Sequence, residues 1–152
     1  MILTELLQDR QAEILETAFA AVKRSQLKNY EKAGDEHTHQ RLKALYVLAV
    51  RAIKERNLGP MLAHAETIAH ERFSAGYDLS EVQTAFNVLE ETIWVNILRY
   101  LPANDYAEAL GLVSTVLGAG KDSLARRYVS LASKTKSTSL NLQSIFSGTE
   151  GM

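Results

Sequence analysis

The chain has no cysteine among its 152 residues. That absence removes disulfides, thiolate zinc sites, iron–sulfur clusters and cysteine nucleophiles together. Proline occurs twice and glycine eight times, too few for an all-β chain with many turns. Net charge is nearly missing as well: 17 Lys plus Arg stand against 18 Asp plus Glu, a formal balance of −1, with an isoelectric point near 6.4. No global field draws such a chain onto nucleic acid or an anionic membrane. Long apolar runs are absent too. The longest, Ala44 to Val50, falls far short of the roughly 20 residues that span a bilayer. The opening Met1-Ile-Leu-Thr-Glu lacks the basic-then-apolar layout of a signal peptide, so a cytoplasmic location and no membrane contact are expected.

What the chain does contain is apolar material, 46% of its residues, and it recurs with the period of a helix. Leu3, Leu7, Arg10, Ile14, Ala18 and Val22 step by three and four, which predicts one long first helix. The polar stretch Lys28 to Gln40 reads as a loop, and a second helix runs from about His39 to Arg56. Asn57-Leu-Gly-Pro60 ends it and starts a third, Pro60 to Ala75, because proline is preorganised for a first helical turn. Gly76 is a natural left-handed stop. Asp78-Leu-Ser-Glu81 has capping-box spacing and opens a fourth helix to about Leu101. A fifth, very long helix covers about Asp105 to Ser133. Lys134 to Ser139 reads as a polar linker and Leu140 to Phe146 as a short apolar patch, so residues 134–152 are expected to form a tail. The fold class is all-α: a bundle of about five main helices, the last of them long.

Motifs that carry chemistry are mostly incomplete. Glu36-x-x-His39 has di-iron helix spacing, but the second pair such sites need is missing. Glu66 and His70 are an isolated pair one turn apart. Thr115-Val-Leu-Gly-Ala-Gly120-Lys121-Asp122 resembles a phosphate loop, yet Thr115 replaces its first glycine and Asp122 its magnesium-binding hydroxyl. No Gly-x-Ser-x-Gly elbow is present, and Ser74 and Ser80 have no assignable partners. Glu90 and Glu91 point about 100° apart on a helix and read as a solvated face. No catalytic residue, metal, haem or nucleotide is therefore expected. Basic residues gather between Lys121 and Lys136, with Arg126 and Arg127 central, which keeps a small DNA-binding regulator as an alternative.

The fifth helix carries two apolar stripes, one through Leu110, Val113, Leu117, Leu124 and Leu131, the other through Leu112, Val116 and Ala119. A helix in a monomeric bundle needs one apolar face, so the second stripe asks for a partner. Gly111, Gly118 and Gly120 each cost about 1 kcal/mol relative to alanine in a helix and permit close backbone approach. A homodimer with Leu112, Val116, Ala119, Gly111 and Gly118 at its interface is the expectation. The alternative is a central helix whose two stripes are both buried within one protomer.

The third-to-fourth helix junction, Arg72-x-x-x-Gly76-x-Asp78-Leu79-x-Glu81-Val82-x-x-x-Phe86-x-x-Leu89, together with Leu6-Leu-Gln-Asp-Arg-Gln-Ala-Glu-Ile14, resembles the N-terminal domain of RsbR-type proteins, co-antagonists of the stressosome. The resemblance spans about Leu3 to Leu131. It implies a non-haem globin-like fold over residues 1–133, a dimeric sensory module without enzymatic activity, and an output partner of the STAS or kinase type. It also makes Arg72, Gly76, Asp78 and Glu81 the structural junction of the domain. No output domain follows Ser133 in this sequence, so the chain is expected to be either a fragment or a stand-alone member acting through a partner. A haem-binding globin sensor is the runner-up on the same fold. Its proximal histidine would stand four residues before the glycine, where this chain has Arg72; His70 is rotated about 200° from that position.

Overall fold

Seven α-helices follow one another in a computed structural model that describes residues 1–146, with side chains through residue 134. They are α1 (Leu3–Asp9), α2 (Gln11–Arg24), α3 (Lys28–Ala33), α4 (Asp35–Glu55), α5 (Gly59–Ser74), α6 (Leu79–Tyr100) and α7 (Tyr106–Phe146), with one 3₁₀ turn at Ala103–Asp105. No strand occurs among the described residues, and none of their helices is long and apolar enough to cross a membrane. The all-α class and the long last helix are as the sequence predicts.

The single first helix is instead two. The backbone leaves helical geometry at Arg10 (φ −104°, ψ 12°). The bend lets both Leu6 and Leu7 of α1 enter the core, while the Arg10 guanidinium lies 4.0 Å from the centroid of the Tyr100 ring. The expected loop from Lys28 to Gln40 is also corrected, because α3 forms inside it and α4 begins at Asp35. Tyr30 explains α3: one buried ring anchors an otherwise polar segment. Asp35 and Glu36 in the first turn of α4 complement its dipole.

Helix α7 lies against α5 and α6, and α6 lies against α2 on another side. α5 and α7 run parallel, since Met61 meets Gly120 and His70 meets Arg127. α6 and α7 run antiparallel, with Asn87 beside Lys121 and Leu98 beside Tyr106. Tyr46, Phe86, Met61, Leu89, Ile93, Ile97, Leu117 and Leu124 are the large fully buried side chains where these helices meet. Gly120 sets the closest approach. A Cβ there would sit 2.8 Å from Met61 Sδ and 2.9 Å from Phe86 Cε1. The helix is unbroken at Gly118-Ala-Gly120 and continues past Ser133 to Phe146, across the stretch expected to be a linker. The last residues of the expected tail, 147–152, lie outside the described residues.

Candidate functional site

The Arg72-to-Glu81 junction is a place where five helices converge. Gly76 takes φ +84°, the Tyr77 N–H donates to the Arg72 carbonyl at 2.9 Å and the Gly76 N–H to the Phe73 carbonyl at 3.1 Å. That pair of bonds is a Schellman stop, and it requires the left-handed residue that glycine supplies. The chain then extends at Asp78 (φ −72°, ψ 145°) and enters α6. Glu81 closes the box by accepting the Asp78 N–H at 3.1 Å. The same carboxylate reaches across to α3, accepting the Asn29 backbone N–H at 2.9 Å and the Asn29 side-chain amide at 2.6 Å. Burial would raise the Glu81 pKa, but these N–H donors outweigh it and hold the carboxyl below its ordinary value.

Tyr77 ties the junction to its surroundings. Its hydroxyl accepts from Arg41 Nη1 of α4 at 2.7 Å and donates to the Asn29 carbonyl at 3.2 Å. Its carbonyl accepts the Tyr128 hydroxyl of α7 at 3.2 Å. The Tyr30 and Tyr77 rings meet edge to face at 5.5 Å, and Phe73 and Tyr128 do so at 5.6 Å. Burial raises the Tyr30 pKa against the pull of Arg72 and Arg41. It pushes Tyr128 up to about 12.

Arg72 points inward. Its side chain is 10% exposed; Nη1 is paired with Glu71, whose own side chain is 61% exposed, at 3.1 Å, and the guanidinium also donates a hydrogen bond to the Tyr30 hydroxyl. The guanidinium lies 5.7 Å from the Tyr77 ring, and its buried Nε has no hydrogen-bond partner. Beside it opens a pocket of about 180 Å³ formed mainly by α4, α5 and α6, with Val22 of α2 and Tyr30 of α3; Arg41, His64 and Glu71 also line it. Burial and the Arg72 charge lower the His64 pKa, partly opposed by Glu71. His64 is therefore a neutral hydrogen-bonding group at pH 7.

The residues expected at a dimer interface are not brought onto one surface. Val116 is 4% exposed, buried within the protomer. Leu112 lines a cleft with Ile2, Leu3 and Ala109, and Ala119 borders the α5–α7 groove with Leu58 and Leu62. The correction has a simple cause: α7 has neighbours on two sides, so the protomer itself uses much of both stripes. Gly111 and Gly118 remain open, with nothing within 4 Å of an added Cβ.

The other sequence candidates disperse. His70 is exposed and takes part in short contacts with the Arg127 guanidinium. The phosphate-loop resemblance lies wholly inside α7. His39 stacks on Phe19 at 3.6 Å. Among the described residues no three His, Asp or Glu side chains converge on a metal-sized space. Arg126 pairs with Asp122 at 3.1 Å and Lys121 with Asn87 at 2.7 Å.

Arg41, Tyr30, Tyr77, Tyr128 and Asn29 carry no motif in the sequence that marks them as a group. Tyr30 and Asn29 fall in the stretch that reads as a loop and Tyr77 falls between two helices, so helical periodicity gives no signal for them. Comparisons with protein-family models, with curated proteins and with solved structures found no match.

Proposed function

We propose that the chain is a non-enzymatic, homodimeric regulatory module of the RsbR-like, globin-like sensor kind, acting through a protein partner of the STAS or kinase type. The observation that carries the reading is an uncovered apolar face on α6. Trp94, Val95 and Leu98 are 40%, 48% and 51% exposed within about one turn of one another, a contiguous patch rather than isolated surface apolar residues. Trp94 and Leu98 lie on the line through Asn87 and Glu91, and the Lys121–Asn87 hydrogen bond brings that line beside α7. The adjoining face of α7 carries Gly111, Thr115 and Gly118, small residues on one helical line.

Large side chains beside a flat stripe are self-complementary under a twofold axis: α6 of one copy packs on α7 of the other, twice. The interface expected around Val116 thus moves to Trp94, Val95 and Leu98, with Gly111 and Gly118 retained.

Light scattering on the full chain at tens of micromolar, where a modest interface holds, is expected to give twice the 16.9 kDa protomer mass. Leu98→Glu is expected to give the protomer mass with unchanged helicity. A native mass of 16.9 kDa at that concentration, or a dimer indifferent to Leu98→Glu and Trp94→Glu, overturns the reading. Genes for a STAS, switch-kinase or phosphatase protein beside this one are the genomic setting it expects.

A further inference from the structure

The pocket beside Arg72 has the make-up of a ligand site, and it lies away from the α6 face. Three features coincide there. Arg72 is buried and charged, and within the fold its guanidinium meets the mostly solvated Glu71 carboxylate and the Tyr30 hydroxyl. Two guanidinium groups, Arg41 and Arg72, line the pocket with a single carboxylate, Glu71, which is mostly in water and engages Nη1 of Arg72, while Arg41 donates to the neutral Tyr77 hydroxyl. The remaining walls are mostly hydrocarbon, chiefly Leu45, Ile68, Val82 and Phe86, with Tyr30 and Gln40 as further polar lining. An anion compensates the buried charge, and the hydrocarbon walls select one that carries a short apolar body.

We propose that this pocket binds a small organic monocarboxylate, its carboxylate held by the guanidinium groups of Arg72 and Arg41 that line the pocket, and its hydrocarbon lying against Leu45, Val82 and Phe86. A guanidinium matches the flat carboxylate better than an ammonium would. The size follows from the volume: about 180 Å³ is below the roughly 300–1,000 Å³ that holds drug-sized ligands. A body of a few carbons fits. His64, neutral at the rim, offers one further hydrogen bond. The site belongs to one protomer, so the proposal goes beyond the dimer reading and stands whether or not two copies associate.

Isothermal titration of the full chain with hexanoate, 1-hexanol and hexylamine tests it. Hexanoate is expected to bind with a Kd of about 1 mM or tighter, and the alcohol and amine about tenfold or more weakly. Arg72→Gln is expected to weaken hexanoate by about tenfold or more. Ala44→Phe changes an exposed residue on the pocket rim and is expected to abolish binding by filling the mouth; it decides the matter should Arg72→Gln fail to fold. No heat with hexanoate at about 10 mM, equal binding of hexanol, or hexanoate affinity unchanged in Ala44→Phe overturns the proposal. Inorganic phosphate matching hexanoate overturns the apolar half of it.

Discussion

Replacing Gly76 by alanine separates backbone strain from steric crowding in this fold. At Gly76 the backbone holds φ +84°, and an added Cβ meets nothing within 4 Å, so the whole cost is conformational. A left-handed L-residue costs roughly 1–2 kcal/mol. The smaller freedom of alanine in the unfolded chain returns about 0.4–1 kcal/mol. The net expectation is a loss of about 1 kcal/mol, or about 2–4 °C in Tm for a chain of this length. Gly120→Ala should also destabilise, but for the opposite reason. Its φ is helical while its Cβ would press to 2.8 Å from Met61 Sδ, so overpacking of about 1–3 kcal/mol works against a helix-propensity gain of about 1 kcal/mol. Gly111→Ala lies in a helix and open to space, and on the Leu98→Glu background, where no second copy docks, it should stabilise by about 1 kcal/mol. Urea unfolding at pH 7 reads all three. A neutral Gly76→Ala, or a Gly111→Ala as damaging as Gly76→Ala, refutes the division into strained, crowded and free glycines.

The remaining expectations concern the polar junction and one buried amide. Glu81 has a lowered pKa in the fold, so its contribution is complete above the ordinary value of 4.5 and is lost as pH falls through the folded-state value. The urea midpoint should drop in that acid window, and Glu81→Gln should flatten the drop while costing about 1–3 kcal/mol at pH 7; an unchanged acid profile in the variant would falsify the assignment. Tyr77→Phe removes a hydroxyl that joins Arg41 to Asn29 and should cost about 1–2 kcal/mol by thermal unfolding. Asn96 donates to the Thr92 carbonyl at 2.9 Å, but its buried Oδ1 accepts nothing. Asn96→Leu should therefore unfold at the same or a higher temperature, and a loss above about 1 kcal/mol means that Oδ1 has an acceptor role after all.

Helix ends were legible from the chain because their chemistry is local. Gly76, Asp78 and Glu81 act on backbone groups only a few residues away, so the stop and restart between α5 and α6 follow from neighbours in sequence. Pro60 in the first turn of α5 is legible for the same reason. Helix α3 was hidden because its own residues are polar. It forms where Tyr30 meets Tyr77 and Asn29 meets Glu81, partners about fifty positions away.

Periodicity alone determined which residues are apolar and which face of each helix they share. It did not determine how many neighbours each helix would have. Val116 and Trp94 both belong to apolar helical stretches, yet one is 4% and the other 40% exposed. The tertiary structure decided that difference, because Val116 lies on the side of α7 that its neighbours cover whereas Trp94 lies on a part of the α6 circumference that they leave open. The buried setting of Arg72 was decided in the same way. A guanidinium is costly to desolvate at any position, and only the packing of α4, α5 and α6 put this one beside a pocket with a donor left over.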